Sequence, residues 1–305
     1  MTGLASLRAF VAVVDAGGFA AAAERLSISQ SGVSHSIAAL ERACGRPVLA
    51  RGSCPRPTQF GEQVLVHARV AVAAVDAVKA LACGRDGQPS GVARLAAPPS
   101  VAGGLVPGLL ARWRVETPAV SVEIFEGDDD EVRHWLDGGT VDLAVLTDPT
   151  PVPEGAVVVG VDRFAALLRT DHPLAAEPAV TLADLEDDPF LLSAGGCEPR
   201  LRLLHQRAGM AFTPTHRIRQ FTTLAGMVAA GVGVSVVPDL SATMLPAGVA
   251  LVPITPTAER TLVLTGPTSR PWHPLAAALI DVVSREDDEA RAATSSSSQP
   301  SHGLN

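Results

Sequence analysis

The sequence predicts an α/β protein in two parts: a small helical head ending in a basic wing, and a larger body of alternating strands and helices, joined by one long helix. Three observations carry this. The 305 residues exceed one ordinary domain. Apolar positions recur at three- and four-residue spacing up to Ala82, whereas short apolar strand-like runs alternate with helical patterns beyond Gly91. The charge is also divided. Up to Arg69 there are seven arginines (Arg8, Arg25, Arg42, Arg46, Arg51, Arg56, Arg69) against Asp15, Glu24, Glu41 and Glu62, a net of +3, which leaves −11 on the remainder of a chain whose total is −8. A basic head on an acidic body suits a phosphate-binding head, although a compositional bias with only one lysine, Lys79, can produce the same split.

Within the head, Leu4, Leu7, Phe10, Val11 and Val14 form one face of a first helix that Gly17 and Gly18 end. Alanines 20 to 23 with Glu24, Arg25 and Leu26 form a short second helix, interrupted by Ser27-Ile28-Ser29. Ser29 can cap a third helix that buries Val33, Ile37 and Leu40 and turns Gln30, Ser31, Ser34, His35 and Ser36 outward, until Gly45 stops it. Prolines and arginines from Pro47 to Thr58 then read as a hairpin or wing. A helix-turn-helix works by lodging such a polar-faced helix in the major groove: Gln30 can pair with adenine, His35 can donate to guanine or phosphate, and Ser27, Ser29 and Ser34 offer hydroxyls for backbone contacts. An ordinary three-helix bundle with a solvated polar face fits the same spacing.

From Phe60 to Ala82 no proline occurs, and Val64, Ala68, Ala71, Val75, Val78 and Ala82 are spaced as a two-stranded coiled-coil seam, which predicts a dimerising helix over 60–88. A helix docked on its own domain would use similar small residues. The glycine-rich stretch 84–91 marks a boundary. Beyond it come a strand at Val92 to Ala97, a helix through Leu105, Leu109, Leu110 and Trp113, a strand at Val120 to Ile124, a helix through Val132, Trp135 and Leu136, and a buried strand at Leu143 to Leu146. That alternation predicts a largely parallel sheet covered on both faces. Further strands at Phe164 to Leu168, Phe190 to Leu192, His216 to Phe221, Val234 to Val237 and Leu262 to Leu264 suffice for a second sheet, with crossovers near Asp162 to Phe164 and Thr265 to Pro267. A final helix through Leu275, Leu279, Ile280 and Val283 precedes a charged, then serine-rich stretch from Glu286 that is expected to be a disordered tail.

The head also resembles the LysR-type transcriptional regulators. Leu7, Phe10, Val11, Gly17, Phe19, Ala22-Ala23, Leu26, Ser29-Gln30, Val33-Ser34, Ile37, Leu40-Glu41, Gly45, Arg51, Thr58 and Gly61 stand in that family's order and spacing without a gap. Gly18, Val48-Leu49 and Pro57 depart from the family's usual serine, Leu-Phe and aliphatic residue, and Ser36 from a longer polar side chain. The resemblance implies a winged helix-turn-helix over 1–59 in which Gln30, Ser31, Ser34 and His35 approach bases, while Ser29, Arg51 and Thr58 contact phosphates; Arg56 joins them as a wing contact on charge alone. It further implies an effector-binding domain resembling periplasmic binding proteins over 91–285, with one subdomain at 91–163 and 267–285 and another at 164–266. The implied partners are a dyad-symmetric DNA operator, a small-molecule effector, further copies of the chain in a dimer or tetramer, and RNA polymerase.

Ligands of such folds bind where strand ends meet helix N-termini. Ser100, Val101, Thr147, Asp148, Ser193, Gly195, Thr222 and Thr223 occupy such positions and suit a polar or anionic effector, with Asp148 opposing a carboxylate; each is equally at home as a helix cap. No HExxH, GxSxG or GxxxxGK motif is present, and Gly231-Val232-Gly233 follows a helix rather than a strand, so no catalytic residue, metal or cofactor is expected. His172 reads as a turn residue. Cys44, Cys54, Cys83 and Cys197 lie far apart without metal-ligand spacing, which favours reduced thiols, with Cys197 buried or inert rather than a redox switch. A mean hydropathy of +0.25 without a membrane-length apolar run or secretory signal points to a cytoplasmic, nucleoid-associated protein without membrane contact. A ligand-independent DNA-binding protein, or a binding-protein-like enzyme with an accessory head, would share these features in part.

Overall fold

The computed structural model describes residues 3–50, 52, 55–83 and 88–296; Arg51 and Cys54 lie outside them. The head is built on α1 (Leu4–Asp15), α2 (Phe19–Leu26) and α3 (Gln30–Cys44), whose apolar faces close over Phe10, Val13, Ala22, Val33 and Leu40, all fully buried. Gly17 and Gly45 adopt φ of 71° and 67°, which stops α1 and α3 at no steric cost. At Gly18, where a capping serine would stand in the resembling family, α2 starts without a side-chain cap. At the base of the wing Leu49 bridges Pro57 and Ala50 N–H donates to the Arg56 carbonyl at 2.7 Å. Glu41 pins its entry by accepting from Val48 N–H at 2.9 Å.

Helix α4 (Gln59–Cys83) leaves the wing at a joint that needs glycine, because a Cβ on Gly61 would stand 1.9 Å from the Val48 carbonyl oxygen. Ala68, Val72, Ala73 and Ala80 are buried against the chain's own head and body, so Ala68 is spent within the protomer and is not free for a seam. Val64, Ala71 and Val75 are half-buried, whereas Val66, Val78, Leu81 and Ala82 are exposed, an apolar stripe on the outer face. Arg8 pairs with Asp76, and Arg69 bonds both Asp15 of α1 and Thr140 of the body, fastening α4 on both sides.

The body is centred on one seven-stranded sheet. Strands β1 (Gly91–Ala97), β2 (Val120–Glu126) and β3 (Leu143–Thr147) are parallel, in the order β2-β1-β3, with α5 (Pro99–Gly104), α6 (Val106–Glu116) and α7 (Asp129–Asp137) between them in the chain. Here the expectation of a largely parallel sheet gives way. Two long strands, β4 (Val157–Arg169) and β9 (Glu259–Thr265), run antiparallel to each other, and β9 runs antiparallel to β3. The far half of β4 pairs antiparallel with β7 (Ser235–Pro238) and β8 (Val249–Pro253). The chain has to leave and re-enter the first half, and two crossing strands side by side do so with opposite directions.

The second half is completed by β5 (Leu191–Ser193), parallel to β6 (His216–Ile218), by α8 (Glu198–Arg207) and by α9 (Phe221–Ala229). Phe221, expected to end a strand, is the first residue of α9; α8 and β8 were not anticipated. The return crossing lies at Glu259-Arg260, opposite Asp162-Arg163, rather than at Thr265 to Pro267, since Leu262 and Leu264 are buried in the first half's core. Helix α10 (Pro274–Ser296) closes that core with Leu275, Leu279 and Ile280, and its Leu279 carbonyl accepts from the indole N–H of Trp113 at 2.9 Å. Its backbone stays helical from Glu286 to Ser296, where disorder was expected, because the glutamates, aspartates, arginine and alanines there are mostly adequate or good helix formers; residues 297–305 lie outside the described residues.

Candidate functional site

Two surfaces concentrate the residues singled out from the sequence. On the head, Ser29 caps α3 by accepting from Gly32 N–H at 3.1 Å, and its hydroxyl lies 2.9 Å from that of Ser31. Val33, Ile37 and Leu40 anchor the inner face of α3, so Gln30, Ser31, Ser34 and His35 are exposed on the outer face of its first turns, with Ser36 half-buried at the edge. Ser27 is exposed beside them with φ of 54°, ending α2. Arg56 is exposed on the wing. Thr58 is placed differently from the expectation: its hydroxyl donates to the Pro47 carbonyl and accepts from Gly61 N–H, each at 2.9 Å. That hydroxyl proton is committed to holding wing and α4 together, so it is not free to meet a phosphate.

On the body, the two halves enclose a cleft of about 560 Å³. Thr147 and Asp148, at the end of β3, line it as expected, together with Asp129, Gly196 and Arg200, which were not foreseen. The Thr147 hydroxyl donates to Asp129 at 3.1 Å, and Asp148 accepts from Thr261 N–H at 2.8 Å while pairing with Arg200 of the opposite half. A second pair spans the gap where Arg219 reaches Glu131 at 2.6 Å. Helix α7 begins at this cleft with a reciprocal capping box between Asp128 and Glu131.

Behind the cleft lies a buried ion pair. Arg260, 3% exposed, donates twice to Asp162, 4% exposed, at 2.9 and 2.6 Å and once to Ser100 at 2.7 Å. Ser100 is therefore bound to this pair, and Val101 is wholly buried core. Ser193 is buried, and Gly195 sits against the Arg219 carbonyl. Thr222 and Thr223 are exposed on α9, outside the cleft lining. Burial pushes the Asp129 carboxyl up, a shift that the Thr147 hydrogen bond and Arg260 oppose. Burial likewise pushes the Cys197 thiol up to about 11, with Arg260 acting against it. His172 is a turn residue, its Nδ1 accepting from Leu174 N–H at 3.2 Å.

The missed cleft residues left one signal in the sequence: Asp128 and Glu131 have capping-box spacing before an apolar helical run. Arg260 left none, since a single arginine at the start of a strand has no local signature of burial.

Comparison with known proteins matches residues 4–62 to the bacterial regulatory helix-turn-helix protein, lysR family, and residues 86–288 to the LysR substrate binding domain. A probable HTH-type transcriptional regulator, LrrA of Synechococcus elongatus, is 33% identical over 292 residues, covering 95% of this chain and 99% of that relative. A probable hydrogen peroxide-inducible genes activator of Mycobacterium leprae is 31% identical over 245 residues, 78% of either chain. Among solved structures, a full-length OxyR of Pseudomonas aeruginosa superposes with a TM-score of 0.69 at 24% identity, covering 92% of this chain and 97% of that one, a likeness of fold.

Proposed function

The chain belongs to the LysR family of DNA-binding transcription regulators, and we propose from this that an effector in the cleft sets the relative position of the body's two halves and thereby the geometry of the DNA-bound oligomer. The observation that carries the reading is the pair of clasps, Arg200–Asp148 and Arg219–Glu131, made between the two halves beside a cleft lined by polar groups. A ligand that engages Thr147, Asp129 or Asp148 changes the balance of those ion pairs, which is the differential interaction a conformational signal requires.

In this reading Gln30, Ser31, Ser34 and His35 meet base edges, and Ser27, Ser29 and Arg56 hold phosphates, with Arg51 a phosphate contact from outside the described residues. One head reads one half-site. The exposed stripe of Val66, Val78 and Leu81 on α4 supports pairing with a second copy, which supplies the other half-site. The bound oligomer acts on transcription through DNA geometry or contact with RNA polymerase, and the body senses rather than catalyses.

The cleft lining carries Asp128, Asp129, Asp130, Asp148 and Glu198 against Arg133 and Arg200. This balance supports a polar effector rich in hydrogen-bond donors rather than an anion. The peroxide response named for the Mycobacterium leprae relative is less well supported here, because a thiol held protonated reacts slowly with oxidants. The test is a thermal-shift screen of a metabolite panel on the full chain, followed by gel-shift titration with and without each hit. A hit whose stabilisation disappears in Thr147→Val and which moves operator affinity supports the reading; unchanged stability and affinity across the panel support a ligand-independent regulator instead.

A further inference from the structure

A second cavity, of about 510 Å³, opens on the far side of α8, between that helix and the loop from Ile254 to Glu259. Its floor is apolar and buried, made by Leu182, Ile254 and Ala258, all 9% exposed or less. Its rim is cationic. Arg200 and Arg207 stand seven residues apart on α8, two turns along the same side, and both line the cavity. Among the described residues Arg207 has no hydrogen-bond or ion-pair partner. The one lining carboxylate, Glu259, is turned to Arg163 at 3.0 Å. An apolar floor of ligand-binding size under two guanidiniums, one of them unpaired, matches a small molecule with an apolar body and one carboxylate.

Arg200 also forms part of the wall between this cavity and the cleft, which it lines from the other side. Its guanidinium donates to the Glu259 carbonyl at 2.8 Å and to Asp148 across the cleft. We propose that the cavity is a second effector site, for a small amphipathic monocarboxylate, and that its occupant competes with Asp148 for Arg200 and so loosens the clasp between the two halves. Burial, then Arg260 and after it Arg207, disfavour the charge on Arg200, with Asp129 acting against them, and an anion in the cavity offsets the repulsion from the two arginines.

The probe is cyclohexanecarboxylate, titrated calorimetrically into the full chain, with cyclohexylmethanol as the uncharged analogue of the same shape and acetate as the charge without the apolar body. The acid is expected to bind saturably at millimolar concentration or below and the controls about tenfold or more weakly. Arg207→Gln, at an exposed position, is expected to weaken the acid about tenfold without moving the thermal midpoint. Ala208→Trp, at the exposed mouth, is expected to block it. Asp148→Asn is expected to tighten it severalfold, because Arg200 is released, a change of sign that a merely structural role does not produce. Absent saturation, equal binding of the alcohol, or binding indifferent to Arg207→Gln or Ala208→Trp overturns the site. Loss of the acid in Thr147→Val assigns it to the cleft and also overturns the site. Unchanged or weaker binding in Asp148→Asn overturns the competition.

Discussion

The head and the body expose their functional groups by opposite means. In the head, one uninterrupted stretch from Ser27 to Ser36 supplies the polar face, and the same helix that carries it also buries its anchors, Val33 and Ile37. In the body, Asp129, Thr147 and Arg200 come from three separate elements, α7, β3 and α8, and meet at the cleft where β4 and β9 cross between the halves. The head's surface is fixed by a helix and its cap. The body's surface is held by ion pairs between halves, and so it can be reset by whatever those pairs meet. A reader of fixed DNA geometry benefits from the first arrangement, a sensor from the second.

The comparison breaks most sharply at the buried pair. Removing one partner of a buried, hydrogen-bonded ion pair costs about 3–5 kcal/mol, so Asp162→Ala is expected to lower the body's thermal midpoint strongly. Replacing both partners with apolar residues should recover much of the loss, and scanning calorimetry of the three proteins checks it. If Asp162→Ala melts like the parent, Arg260 is not the linchpin between the halves.

Gly61→Ala tests the head's rigidity next. The added methyl collides with the Val48 carbonyl, so wing and α4 must shift apart; operator affinity is expected to fall more than tenfold, about 1.4 kcal/mol, while ligand-induced stabilisation of the body persists. Gel shifts and thermal shifts on the same preparation separate the two effects. Gln30→Ala is expected to cost about 1–3 kcal/mol in operator affinity and to relax base preference at one position. An equal loss on every DNA sequence would reassign Gln30 to a phosphate.

The thiol at Cys197 offers a pH axis. Its pKa in the folded chain is raised from the ordinary 9.0 to about 11, so the folded state binds the proton more tightly than the unfolded state. Its contribution is therefore fully present below about 9 and is lost as pH rises toward about 11. Alkylation of native protein at neutral pH should be slow and become fast on unfolding, measurable by mass spectrometry. The smallest effect belongs to Arg219→Gln. This clasp is two-thirds exposed on the arginine side, so stability should change by about 1 kcal/mol or less, and the change should fade with salt.

The same contrast explains what was legible in advance. Helices α1 to α3, the wing and the recognition face depend on periodicity, caps and glycines within a few residues of each other, and their order could be read directly. Thr58 is the exception, because its hydroxyl is consumed by Pro47 and Gly61, a contact that requires the wing to have folded back. In the body, Thr147 and Asp148 were found from the rule that ligands gather at strand ends, whereas Thr222 and Thr223 obey the same rule locally and end up away from the cleft. Antiparallel pairing of β9 with β3 and β4 is a matter of chain crossing, to which local alternation is blind. Arg260 was invisible for the same reason, since its burial depends on Asp162, 98 positions away.

The absent methyl at Gly61 decides where the molecule can bend. With the wing seated on α4 and with Arg8–Asp76 and Arg69–Asp15 bolting α1 to the same helix, the joint between head and stalk has little freedom of its own. Motion reaching the head must then come as a swing of the whole stalk, which also parts Arg69 from Thr140 of the body. Helix α4 has 25 residues, roughly 37 Å at 1.5 Å per residue, so a rotation of about 10° at its base sweeps its far end through about 6 Å. That is close to the spacing of two base pairs along a duplex, at roughly 3.4 Å each, enough to carry a recognition helix out of register with its half-site.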